Sequence, residues 1–121
     1  TEESWDRIVD VNQKGTFLCV RAVIPHMKQR SYGRIINLTS GAGLLGDVGQ
    51  IHYSASKAAI AGMTKSWARE LGRFGITVNA ISPAAATEAT AKVREDPQLS
   101  QQYLSLIALN RWAEPAEVAK A

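Results

Sequence analysis

Two short β-branched runs on either side of one long helical stretch constrain this chain more than any other feature. Arg34 to Thr39 reads RIINLT and Ile76 to Ile81 reads ITVNAI. Both compositions suit buried parallel strands. Between them, a loop from Ser40 to Gln50 holds Gly41, Gly43, Gly46 and Gly49, and a helix is expected over about Ile51 to Arg73. Its inner stripe is Ile60, Met63 or Thr64, Trp67 and Leu71, and its alanines and Gly62 allow close packing. Gly72 and Gly75 lie where a helix end and a turn belong. Strand, helix and strand at this spacing form a parallel crossover unit, the building block of a doubly wound sheet. The fold class is therefore α/β. Two strands do not make a stable open sheet, so the sheet is expected to continue outside these residues.

A helical segment precedes this unit. Thr1 can cap it, with Glu2 and Glu3 in an acidic first turn. Trp5, Ile8, Val9 and Val11 follow at helical spacing, and Phe17, Leu18, Val20, Ile24 and Met27 continue the pattern to about Arg30. Asn12 and Gly15 are poor interior helix residues, which predicts a kink or break near Asn12. Ser31-Tyr32-Gly33 is a turn. After Pro83 the composition shifts to Ala, Thr, Glu, Gln and Lys. Weak helical patterns at Thr87 to Glu95 and Gln98 to Leu109 are interrupted by Pro97. That segment is expected to act as a lid, with Leu99, Tyr103, Leu106 and Ile107 on its apolar side. Residues 1–121 are read as one portion of a single domain with no internal boundary.

Composition narrows the function classes. Charged residues make up 21% of the chain and the net charge is +3, but the basic residues are scattered among acids, as in Arg69-Glu70 and Arg94-Glu95-Asp96. No basic stripe suggests a nucleic-acid partner. No apolar run is long enough to span a membrane, and Thr1 to Trp5 does not resemble a signal peptide. The single cysteine, Cys19, is expected to be a buried structural thiol. These features fit a cytoplasmic location. No His, Cys or Asp cluster has metal-ligand spacing.

The chemistry concentrates around the first strand and the long helix. Tyr53 and Lys57 form Y-x-x-x-K, which puts both side chains on one helix face, one turn apart. A nearby cation favours a phenolate, so this tyrosine could exchange a proton with an alcohol or alkoxide near neutral pH. Ser40 follows the first strand directly, and Ser82-Pro83 ends the second at the same edge. Open α/β sheets bind ligands at that carboxyl edge. His52 is adjacent to Tyr53, but neighbouring helical residues point about 100° apart. It is read as structural, as is His26.

The stretch from Gly33 to Pro83, GRIINLTSGAGLLGDVGQIHYSASKAAIAGMTKSWARELGRFGITVNAISP, resembles the short-chain dehydrogenase/reductase family. It carries that family's serine, then Y-x-x-x-K, then V-N-x-x-x-P. Asp10 to Gly15 resembles the V-N-x-x-G segment, and Arg111 with Pro115 to Ala119 resembles R-x-x-x-P-x-E-V-A. The resemblance implies part of a Rossmann-like domain, central to carboxyl-terminal. It implies an NAD- or NADP-dependent oxidoreductase interconverting a secondary alcohol and a ketone, with a small-molecule substrate. It also implies a tetrad of Asn12, Ser40, Tyr53 and Lys57. Tyr53 transfers the proton, Ser40 holds the substrate oxygen, Lys57 binds the nicotinamide ribose and favours the phenolate, and the Asn12 main-chain carbonyl holds a relay water. Pro83, Ala84 and Thr87 are implied near the nicotinamide, alongside Tyr53 and Lys57.

The family's glycine-rich pyrophosphate turn and N-N-A-G segment have no counterpart in these residues. The family's usual Pro-Gly is here Pro83-Ala84, with Thr87 one position early. Alanine lacks glycine's freedom at positive φ, which leaves the loop path open. The Pro-Ala-Ala-x-Thr run is similar to that of relatives acting on acyl thioesters, and so points to a 3-hydroxyacyl or 3-oxoacyl substrate. A dehydratase or epimerase of the same fold and a non-catalytic scaffold or regulator are the alternatives, and the complete tetrad argues against both. A homo-oligomer, tetramer or dimer, is expected through the two long helices.

Overall fold

The computed structural model describes residues 1–120, which form two compact units, one from Thr1 to Ser82 and one from Pro83 onward. In the first unit, α1 (Glu2–Val9), a π-helical turn (Asp10–Lys14) and α2 (Gly15–Gln29) lead to β1 (Gly33–Leu38). A short α3 (Gly41–Leu45), the long α4 (Ile51–Leu71) and a 3₁₀ turn (Gly72–Phe74) then lead to β2 (Ile76–Ile81). The strands pair in parallel from Gly33 opposite Ile76 to Leu38 opposite Ile81. The expected crossover unit is therefore present, with the strand boundaries within one residue of those read from sequence.

Thr1 caps α1, accepting a hydrogen bond from the Ser4 amide at 3.1 Å. The irregularity expected near Asn12 is a π-helical turn rather than a break. The helix runs on through one wide turn, in which the Gly15 amide reaches back to the Asp10 carbonyl. The Thr16 hydroxyl donates to the Asn12 carbonyl at 2.7 Å.

The core lies on one face of the strands. Val20, Ile35, Leu71, Ile76 and Val78 are buried together, with Ile24, Met27, Trp67 and Phe74 packed around them. Helices α2 and α4 both contribute to this cluster, so only one side of β1 is covered. Its burial alternates strictly, and Ile36 and Leu38 are 52% and 55% exposed. The expectation of a strand buried on both faces is thus corrected for the described residues. Cys19 is also corrected, from buried to exposed. Val20 takes the core position on α2, and its neighbour is turned about 100° off that stripe.

Gly75 closes the turn into β2 at φ +69°, and a Cβ there would land on the Ser31 carbonyl oxygen. Left-handed backbone alone costs a non-glycine residue about 1–3 kcal/mol, and the collision adds to it. Gly75→Ala is expected to lower the unfolding free energy of the protein by more than about 2 kcal/mol, read as a lower urea midpoint. An unchanged midpoint would contradict this account of the turn.

The second unit is held by local devices. Residues 84–86 pair with Ala113: the Ala113 amide donates to the Ala84 carbonyl at 2.9 Å, and the Ala86 amide to the Ala113 carbonyl at 2.8 Å. None of Ala84, Ala85 and Ala86 has positive φ, so alanine follows this path without strain. A 3₁₀ turn (Glu88–Thr90), α5 (Ala91–Glu95) and α6 (Pro97–Ser105) follow, and α7 (Pro115–Val118) comes after the paired Ala113. The helices are shorter than the sequence pattern suggested. Asp96 ends α5 and caps α6, accepting from the amides of Gln98 and Leu99 at 2.9 and 3.0 Å. Tyr103 stacks on Trp112 with centroids 5.2 Å apart. Arg111 grips Glu117 through two bonds of 2.7 and 2.6 Å, which hold the Glu117 carboxyl down to about 2. Within this unit Leu99, Tyr103 and Leu106 are exposed.

Candidate active site

The carboxyl end of β1 and the first turns of α4 build the site. Helix α4 buries a row spaced four residues apart, Ser56, Ile60 and Thr64. That row fixes the rotation of the helix and leaves Tyr53 and Lys57 half-buried beside the strand end. The Lys57 ammonium donates to the Leu38 carbonyl at 3.0 Å and lies 5.7 Å from the centroid of the Tyr53 ring. Burial holds the Lys57 ammonium below the ordinary lysine range. No carboxylate pairs with Lys57, and no group hydrogen-bonds the Tyr53 hydroxyl, among the described residues.

Ser40 stands just past the end of β1, as the N-cap of α3, where its oxygen accepts from the Ala42 amide at 3.3 Å. Its hydroxyl proton is therefore still available to an oxygen acceptor. No hydrogen bond joins Ser40 to Tyr53 among the described residues. Asn12 and Lys57 border one hollow of about 430 Å³, together with Cys19 and Leu38. The Asn12 side chain donates to the Ser56 hydroxyl at 3.3 Å. The structure thus brings Tyr53 and Lys57 together directly, puts Asn12 on the Lys57 side, and leaves Ser40 extended, two residues past Leu38.

His52 turns elsewhere, as its helical position predicted. Its Nδ1 accepts from the Tyr53 amide at 2.9 Å, and it borders a separate hollow with Trp5 and Ile51. Among the described residues no group of three or more His, Cys, Asp or Glu could hold a metal ion. No helix there is long and apolar enough to cross a membrane.

Sequence reasoning missed three neighbours of the site. The Thr39 hydroxyl donates to the Lys57 carbonyl at 2.9 Å, and the Ser56 hydroxyl to the Tyr53 carbonyl at 2.8 Å. Helix α3 was not expected in a glycine-bearing loop. It rests so closely on α4 that a Cβ at Gly43 would sit 2.7 Å from the Ala58 nitrogen. The i, i+4, i+8 row is the one signal that could have found Ser56; the other two contacts depend on the folded arrangement.

The family model for short chain dehydrogenase matches residues 1–98. The chain belongs to the short-chain dehydrogenase family. It is 44% identical over 118 residues to a 3-oxoacyl-(acyl-carrier-protein) reductase of Synechocystis sp., covering 97% of this chain and 46% of the relative. A reductase of the same name from Thermotoga maritima is 42% identical over 120 residues, covering 98% and 48%. The crystal structure of the 3-oxoacyl-(acyl-carrier protein) reductase of Brucella melitensis matches with a TM-score of 0.87 at 40% identity, covering 99% of this chain and 45% of that one. The chain therefore spans about half the length of the short-chain dehydrogenases it matches.

Proposed function

We propose that the protein is an NAD(P)-dependent oxidoreductase that interconverts a 3-oxoacyl and a 3-hydroxyacyl group. The observation that carries this reading is the half-buried Lys57 ammonium, tied to the Leu38 carbonyl and beside Tyr53. The family membership and the activity named for its relatives support it. An ammonium has three donors, and with one on Leu38 and no carboxylate partner among the described residues, two remain for hydroxyl acceptors. That donor set fits the ribose next to a nicotinamide. When bound, the nicotinamide supplies or accepts the hydride.

The protein's own groups manage the proton. In the reductive direction Ser40 donates a hydrogen bond to the ketone oxygen and holds it. Tyr53 gives its phenolic proton to that oxygen as negative charge develops there, and the Lys57 cation stabilises the phenolate left behind. Ketone, hydride and proton sum to the alcohol. Asn12 is assigned the relay that returns a proton towards Lys57 through a water on its main-chain carbonyl, where the water would have to replace the Thr16 hydroxyl. Pro83, Ala84 and Thr87 are assigned to the nicotinamide carboxamide on the family resemblance alone. A cytoplasmic homo-oligomer belongs to the same proposal. Phe17, 41% exposed on α2, stacks on Trp67 of α4 with centroids 6.4 Å apart, an aromatic surface suited to a subunit contact.

The test is turnover by the full-length protein with a 3-oxoacyl thioester and NADPH or NADH. The expected result is loss of reduced-nicotinamide absorbance matched by formation of the 3-hydroxyacyl product. Failure to turn over any of a panel of 3-oxoacyl and simple ketones would overturn the reading in favour of a scaffold.

A further inference from the structure

We propose that Thr39 and Ser56 are positioning residues that clamp the Tyr53–Lys57 turn by its main-chain carbonyls. The inference rests on the oxidoreductase reading and concerns how its two central side chains are held. In a helix each carbonyl accepts one amide bond and keeps a second lone pair. At Tyr53 that second position is filled by the Ser56 hydroxyl at 2.8 Å. At Lys57 it is filled by the Thr39 hydroxyl at 2.9 Å.

A serine bonding three residues back along its own helix is ordinary. Here Ser56 is wholly buried and also accepts from the Asn12 side-chain Nδ2, across 44 residues of sequence, at 3.3 Å. It therefore joins the wide turn of the first helical segment to the carbonyl of Tyr53. Thr39 has no such local explanation. It is 9% exposed, sits at the end of β1, and reaches a carbonyl 18 residues away. Its own amide donates to the Ile81 carbonyl at 2.9 Å, so it is anchored on β2 as well. The turn that carries both reactive side chains is thus fixed from the sheet on one side and from the π-helical turn on the other. Gly43 of α3 presses on the same backbone at Lys57 and Ala58. The Tyr53 hydroxyl is at the end of a long side chain, so a small rotation of this turn displaces it most.

The test uses the full-length protein. Thr39→Val and Ser56→Ala remove one hydroxyl each; the Lys57 and Tyr53 carbonyls keep their helical amide bonds, while Ser56→Ala also takes the acceptor from the Asn12 side-chain amide. Each is expected to lower kcat about tenfold, with KM for cofactor and ketone within about twofold, because positioning acts on the reacting geometry more than on binding. Thr39→Ser, which restores the donor, is expected to recover most of kcat. If Ser56→Ala does not fold, the Thr39→Val and Thr39→Ser pair decides alone. Wild-type kcat in Thr39→Val overturns the clamp. So does a loss of kcat accompanied by an equal loss of thermal stability in both Thr39 variants. An active wild type with inactive Tyr53→Phe upholds the oxidoreductase reading whichever way the clamp falls. An inactive wild type, by contrast, rejects that reading itself.

Discussion

Tyr53→Phe in the full-length protein is expected to lower kcat by at least about a hundredfold, the lower end of what a positioned general acid contributes. The substitution removes one oxygen and keeps the ring. Among the described residues the Tyr53 hydroxyl has no hydrogen-bond partner, so its removal orphans nothing in the fold. The ring remains able to face the Lys57 ammonium, now 5.7 Å from its centroid. Thermal stability and cofactor affinity are therefore expected to stay near wild type while turnover disappears. Steady-state kinetics and a melting curve on the same preparation check both halves. More than a few per cent of wild-type kcat would remove Tyr53 from the role of acid and base.

The tyrosine and lysine were legible because one helix carries both, and helical spacing is a local property. The strands were legible for the same reason: β2 runs over the residues its β-branched pattern marked, and β1 differs only by taking in Gly33, which pairs with Ile76, and leaving Thr39 out. What sequence did not reveal depends on contacts between distant segments. Gly41, Gly43 and Gly46 argue for loop, yet α3 forms because Ser40 caps it and because Gly43 can lie flat against α4. Propensity marked Asn12 and Gly15 as irregular but could not distinguish a break from a wide turn, whose bonds depend on where Thr16 and Ser56 lie. Cys19 was misjudged because an apolar run does not specify which residue faces the core. The alanines after Pro83 raised a difficulty that the pairing with Ala113 removes. Thr39 read only as the last residue of the first strand, and its reach to Lys57 is a property of the crossover.

Lys57→Met is expected to damage cofactor binding and turnover together, since one ammonium serves both. Methionine preserves length and apolar packing along the stem and removes the charge with all three donors. Losing charge-assisted bonds to hydroxyls is expected to raise the cofactor Kd about tenfold or more, and losing the cation beside the phenol to lower kcat about a hundredfold. The pH dependence separates this from a packing defect. Burial holds Lys57 below its usual 10.5, so the charged form is disfavoured in the folded protein. Its contribution to stability is then full above the unfolded value and lost as pH falls through the lower folded value, which leaves a penalty at neutral pH. The ammonium that binds cofactor also disappears at lower pH than for a free lysine. Wild-type cofactor affinity should therefore decline on the alkaline side before ordinary lysines titrate, while stability rises over the same window. In Lys57→Met the Lys57 share of both pH dependences should vanish, and neutral-pH stability should not fall by more than the lost bond to Leu38 accounts for. Calorimetric titration of NADPH across alkaline pH, with urea unfolding in the same buffers, measures both. A variant with wild-type cofactor affinity and an unchanged pH profile would show that the ammonium does neither job.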